Sequence, residues 1–153
     1  MFQRYTIQAR RVVFFALYEG AGFGSPSIGT EHLLLGLLRA DKELAERILG
    51  AHNSSIDSTR ASLKEGKTTR PSALHVKTLP LSEESKRVLN YAAEEADGAG
   101  HKYIGTEHLL VGLLREEHCR AAKILKEQEV SLLFARERVV RAQDKYYPPD
   151  LRL

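Results

Sequence analysis

Apolar positions recur along this chain at spacings of three and four, and the alternation a strand requires never lasts. Val12, Phe15, Ala16 and Glu19 share one helical face; Val88, Tyr91, Ala92 and Glu95 share another. Leu33, Leu34, Leu37 and Leu38 predict a second helix, mirrored by Leu109, Leu110, Leu113 and Leu114. Ala45, Ile48 and Leu49 predict a third, mirrored by Ala121, Ile124 and Leu125. A fourth is predicted over residues 54–65 and its counterpart over 131–144. Thr6 and Ser82 precede the first helix of each half, where a hydroxyl oxygen caps free backbone N–H groups for about 1 kcal/mol. The runs GAGFG and DGAG end those helices, because glycine accepts the left-handed backbone of a helix C-terminus. Thr30 and Thr106 are predicted to cap the second helices.

These mirrored pairs are one repeat. Residues 28–39 read IGTEHLLLGLLR and residues 104–115 read IGTEHLLVGLLR, with eleven of twelve letters shared at an offset of 76. Over residues 5–49 against 81–125, 20 of 45 positions are identical without a gap. A duplicated unit of this size predicts two four-helix repeats packed about a pseudo-twofold axis within one domain spanning residues 1–153. Repeat 1 is expected over 1–65, a proline-containing linker over 66–80, repeat 2 over 81–145 and a short tail over 146–153. About 75 residues bury little core alone, so the two repeats should share an interface.

Composition narrows the function. No run of 18 apolar residues exists, so no membrane-spanning helix is expected, and no signal-peptide core is read. The lone Cys119 cannot form an intrachain disulfide and is expected as a partly buried helical residue in a cytoplasmic protein. Net charge is +3. The surplus lies late, but acidic residues interrupt it and no aromatic residue interleaves before Tyr146, which argues against a nucleic-acid footprint. A basic helical nucleic-acid-binding protein stays as an alternative.

No GxxxxGK[ST] sequence occurs, so neither ATP binding nor ATP hydrolysis is expected of these residues. No nucleophile–base pair stands out, and the reading is a non-enzyme. Glu116, Glu117, His118 and Cys119 include metal-ligand types, but consecutive helical residues point apart; no metal and no cofactor are expected. The leucines of the doubled motif read as core. Gly36 and Gly112 interrupt them at about 0.5–1 kcal/mol each against alanine, which the close approach of another helix would explain. In the GTEH corner, the glycine turns the backbone, the threonine caps, and Glu31 and Glu107 face the positive helix end, worth about 0.3–1 kcal/mol. His32 and His108 follow as packed or hydrogen-bonded residues.

The paired IGTEHLLLGLLR-type motifs, each after a glycine-ended helix, resemble the N-terminal (Clp repeat) domain of the ClpC/ClpA-type unfoldases, as does the opening MFQRYTIQARRVV. The resemblance covers residues 1 to about 144. It implies a protein-interaction module that docks adaptor proteins and passes protein substrates to Clp ATPase or protease subunits. It also implies, from some members, a phosphoarginine pocket in each repeat. On that pattern Glu31 and Glu107 hold the guanidinium, Thr6 and Ser82 lie near the pocket, and the amides behind Thr30 and Thr106 take the phosphate. Two such corners would bind bivalently. The chain departs from the family at Ser25, where repeat 2 keeps the loop histidine as His101, and in the extra aromatics Phe14, Phe15, Tyr18 and Phe23. The ending DKYYPPDLRL differs from the usual passage toward an ATPase ring. A stand-alone accessory subunit docking on a Clp complex, and a fragment of a Clp ATPase, both stay open.

Overall fold

A computed structural model describes residues 2–50, 54–64 and 78–142. Most of the expected linker and the whole tail lie outside those residues. Eight α-helices are present among the described residues: α1 (Ile7–Gly22), α2 (Thr30–Ala40), α3 (Lys42–Gly50), α4 (Ile56–Lys64), α5 (Glu83–Gly98), α6 (Thr106–Arg115), α7 (Arg120–Glu127) and α8 (Leu132–Ala142). The architecture is all-α, as the periodicity predicts.

The helix ends follow the sequence in detail at α1 and α5. Thr6 Oγ1 accepts from Ala9 N at 3.1 Å, and Ser82 Oγ accepts from Ser85 N at 3.1 Å. At the other ends Gly24 and Gly100 take φ of +66° and +73°. That left-handed step lets Ser25 N reach Gly20 O and His101 N reach Ala96 O, closing both helices by the same motif.

In each repeat the first helix crosses the second at its mid-helix glycine. A Cβ on Gly36 would collide with Val12 O, and one on Gly112 with Val88 O. The missing methyl is what allows the two backbones to touch, which accounts for the glycines inside both leucine runs. Leu33, Leu34, Leu37 and Leu38 are buried with their repeat 2 counterparts in one core that runs through both repeats. A buried leucine contributes about 1.5–3 kcal/mol, so this shared core dominates cohesion.

The repeats are also tied reciprocally by backbone. Tyr5, ahead of α1, bridges to Ile104, ahead of α6; Leu81, ahead of α5, bridges to Ile28, ahead of α2. Thr6 N donates to Ile104 O at 3.0 Å, and Ser82 N donates to Ile28 O at 3.0 Å. Each pair maps onto the other at the offset of 76, which is the signature of a pseudo-twofold relation.

Candidate functional site

The doubled GTEH corners are built differently from the expectation. The N-caps of α2 and α6 are Gly29 and Gly105, and Thr30 and Thr106 are already the first helical residues. The cap is instead reinforced by the histidines: Gly29 N donates to His32 Nδ1 at 2.8 Å, and Gly105 N donates to His108 Nδ1 at 2.9 Å. The glycines have ordinary negative φ. They are needed because Glu31 and Glu107 fold back over them, where a Cβ would strike the carboxylates. The carboxylates are therefore covered rather than outward: Glu31 is 7% exposed and Glu107 is 3% exposed.

Once covered, the two glutamates have different surroundings. Glu31 Oε2 meets Arg120 Nη1 at 3.1 Å, while Arg120 Nη2 donates to Leu63 O at 3.0 Å. The position matching Arg120 in repeat 1 is Leu44, which offers Glu107 no cation. Burial, then the nearby charge of Asp41, push its carboxyl up to about 7 against the helix-end N–H and Arg138, which pull it down. Glu107 Oε1 has no hydrogen-bond partner among the described residues. His108 Nδ1 lies 3.4 Å from it, but that nitrogen already accepts the Gly105 N–H and carries no proton to share. Thr106 Oγ1 donates to Asp41 Oδ2 at 2.7 Å across the repeats.

The loops before these corners differ too. In repeat 2, His108 Nε2 lies 2.9 Å from His101 Nδ1. Since His108 Nδ1 is an acceptor, its proton resides on Nε2 and is donated to His101. Tyr103 stacks on His101 at 5.1 Å. Burial, then the charges of His101 and Arg4, lower His108 to about 3, and burial lowers His101. In repeat 1 the corresponding residues are Ser25 and Ser27, joined by a local hydrogen bond from Ser25 Oγ to Ser27 O, and His32 packs edge-on against Phe23. Cys119 is fully buried and caps α7 through Sγ, rather than lying within a helix. Burial raises its thiol.

Sequence reasoning did not single out an apolar concavity beside α1. It is a groove of about 710 Å³ between α1 and the segment leading into α5, lined by Phe2, Arg10, Val13, Phe14, Leu17 and Leu79 among others. Phe14 is 54% exposed and Tyr18 47%, and their rings contact at 5.0 Å. The signal was present in the excess of aromatics in repeat 1. In repeat 2 the matching residues are Asn90, Ala93 and Glu94 in place of Phe14, Leu17 and Tyr18. No helix among the described residues is long and apolar enough to cross a membrane. No group of metal-ligand side chains converges among them.

Comparison with known proteins places this architecture. The Clp repeat (R) N-terminal domain family matches residues 4–128. The ATP-dependent Clp protease ATP-binding subunit ClpA homolog of Guillardia theta is 36% identical over 141 residues, which cover 92% of this chain and 17% of that protein. ClpC of Staphylococcus aureus (strain USA300) is 34% identical over 142 residues, covering 93% and 17%. The chain thus spans about a sixth of the length of these relatives. The ClpD N-terminal domain of Arabidopsis thaliana superposes with a TM-score of 0.75 at 24% identity, covering 94% of this chain and 97% of that one. The Hsp104 N-terminal domain of Candida albicans gives 0.68 at 12%, covering 95% and 94%, and supports the fold alone. With the doubled motif, the reciprocal bridges and a match over most of its length, this chain belongs to the Clp repeat N-terminal domain family.

Proposed function

We propose that the chain is a protein-interaction module of a Clp system, holding adaptors or protein substrates and performing no catalysis or ATP hydrolysis itself. The observation that carries this reading is the open apolar groove beside α1. An exposed Phe14 with half-buried Phe2, Val13, Leu17 and Leu79 gathered in one concavity is the kind of surface that contacts proteins. Among the described residues that line it, one is a cation, Arg10, and none is a carboxylate. The occupant is then an apolar segment of an adaptor or an unfolded substrate. The relatives' names are those of ATP-binding subunits of a Clp protease, which supports a setting beside ATP-binding and protease subunits, and a cytoplasmic location is part of the same proposal.

The test uses fluorescein-labelled β-casein as an unfolded probe. Anisotropy should report saturable binding that changes less than threefold between 50 and 200 mM salt. Phe14→Asp should weaken it at least tenfold while Tm stays within a few degrees, because Phe14 is exposed. A labelled DNA duplex should bind more weakly. Tighter binding to DNA, with a steep fall over the same salt range, would support the nucleic-acid alternative instead.

A second reading rests on the partnerless Oε1 of Glu107. Such an atom is where a guanidinium would be received, and the Tyr5–Ile104 bridge brings Thr6 to the chain entering that corner. Ser82 stands likewise beside the chain entering the Glu31 corner, but there Arg120 already supplies the guanidinium. Phosphoarginine reading is therefore proposed at the Glu107 corner first, with Thr106 behind it, and at the Glu31, Thr30 corner only after Arg120 is displaced. Free phosphoarginine should bind wild type better than arginine does, should lose binding in Glu107→Ala, and should gain a second site in Arg120→Ala. Equal binding of the two amino acids removes this reading and leaves the groove untouched.

A further inference from the structure

A second concavity opens on the other flank of α1. It holds about 640 Å³ and is lined by Gln8, Arg11, Phe15, Arg39, Ala40, Asp41, Lys42 and Glu43. Gln8, Arg11 and Phe15 stand at i, i+3 and i+7 and so share a helix face. The Arg39 guanidinium lies over the Phe15 ring, 4.2 Å from its centroid, and bonds Glu19 at 3.3 Å. Asp41 is occupied on both oxygens, by Leu44 N at 3.0 Å and Thr106 Oγ1 at 2.7 Å. Glu43 lies on the exposed rim. Arg11 and Lys42 are exposed and make no hydrogen bond or ion pair among the described residues.

The duplicated repeat shows how the same site looks when it is satisfied from within. At the offset of 76, Gln8, Arg11, Phe15, Arg39 and Ala40 become Glu84, Arg87, Tyr91, Arg115 and Glu116. Arg115 again covers the ring, at 4.3 Å from Tyr91. There, however, Arg87 Nε donates to Glu116 Oε2, and that hydrogen bond, helped by the charges of Glu116 and Glu84, outweighs desolvation and holds the guanidinium above its usual value. Repeat 1 keeps the arginine, the ring and the stacked second arginine. It replaces both carboxylates, by Gln8 and Ala40.

We infer that the Arg11 pocket is a docking site for a carboxylate side chain of a partner protein, which takes the place Glu116 fills in repeat 2. The carboxylate meets the Arg11 guanidinium in the bidentate manner that arginine favours, with the Lys42 ammonium beside it and the Gln8 amide as a further donor. The site lies across α1 from the apolar groove, so a partner with an acidic residue near an apolar segment could engage both flanks. It does not depend on the groove being used.

The test follows 15N-labelled chain by NMR while capped tetraglutamate is added, with capped tetraglutamine and inorganic phosphate as controls. Saturable shifts at Gln8, Arg11 and Lys42 are expected with tetraglutamate and not with tetraglutamine. Arg11→Ala should reduce affinity at least fivefold. Ala40→Glu, which copies Glu116 into repeat 1, should abolish the shifts while raising or preserving Tm, so a loss of fold cannot mimic the result. Glu116→Ala should create a new responsive site at Arg87. Shifts that survive Ala40→Glu, the absence of saturation, or equal affinity for phosphate would each overturn the proposal. Phe14→Asp should leave this titration unchanged, which separates it from the groove.

Discussion

The two repeats share one backbone plan, yet repeat 1 faces outward and repeat 2 satisfies itself. On α1, Phe14 and Leu17 line an open apolar groove with Tyr18 exposed beside them; on α5, Asn90, Ala93 and Glu94 make the matching positions more polar. Arg11 is exposed and makes no ion pair among the described residues, whereas Arg87 is closed by Glu116. At the GTEH corners the contrast reverses: Glu31 has Arg120, and Glu107 Oε1 has no hydrogen-bond partner among the described residues. Duplication has preserved what packs and changed what meets solvent or the sister repeat. Burial constrains every side chain it touches, while a surface position is free to acquire a partner.

The sharpest way to break this comparison is at the positions said to be equivalent. Gly36→Ala and Gly112→Ala should each cost about 3 kcal/mol, because the added methyl meets backbone that cannot move aside. Thermal melts that differ by more than a third between the two would contradict equal crossings.

Next come the glutamates, where the account expects opposite signs. Glu107 has a folded value of about 7 against an ordinary 4.5, so its protonated form favours the fold. That contribution is full below pH 4.5 and fades as pH rises through 7. Glu107→Gln should then stabilise the chain by about 2 kcal/mol at pH 8 and change little at pH 5. His108 runs the other way: at about 3 against an ordinary 6.5, its neutral form favours the fold, and this stability is lost as pH falls below 6.5. In Glu107→Gln the pH profile should keep its acid limb and lose its decline between pH 5 and 8. At the other corner Arg120→Ala should destabilise by about 1 kcal/mol, since it takes an ion-pair partner from a buried carboxylate but removes a half-exposed cation. Equal effects of the two corner substitutions would remove the asymmetry.

The smallest effect belongs to two matched ion clusters. Glu19 holds Arg39 and Arg60, and Glu95 holds Arg115 and Arg136, again at the offset of 76. Burial alone would raise the Glu19 carboxyl, but the two arginines together leave it below its usual value. Arg136→Ala should cost about 0.5 kcal/mol, with Arg60→Ala somewhat more because its partner is the more deeply buried.

Much of the fold was legible before any coordinates. The leucine runs, the capping Thr6 and Ser82 and the glycines at 24 and 100 follow from spacing and backbone preference, which are local. The misjudged part was the corner itself. A cap at Thr30 is a reasonable local choice, but Gly29 takes it because His32 can supply the acceptor and Glu31 needs the space a side chain would fill. Arg120 lies 89 residues from Glu31, and no local pattern announces such a pair. The groove was missed for a related reason: Phe14 and Tyr18 stand out in the sequence only as extra aromatics until helix crossing fixes which face of α1 is buried.

The claim that repeat 1 carries the contact surface is tested most directly by mapping unlabelled β-casein onto the 15N-labelled chain by NMR. The account predicts perturbations concentrated at Val13, Phe14, Leu17, Tyr18 and Leu79, with α5 residues Asn90, Ala93 and Glu94 unmoved. Perturbations shared equally by α1 and α5, or confined to α5, would contradict it.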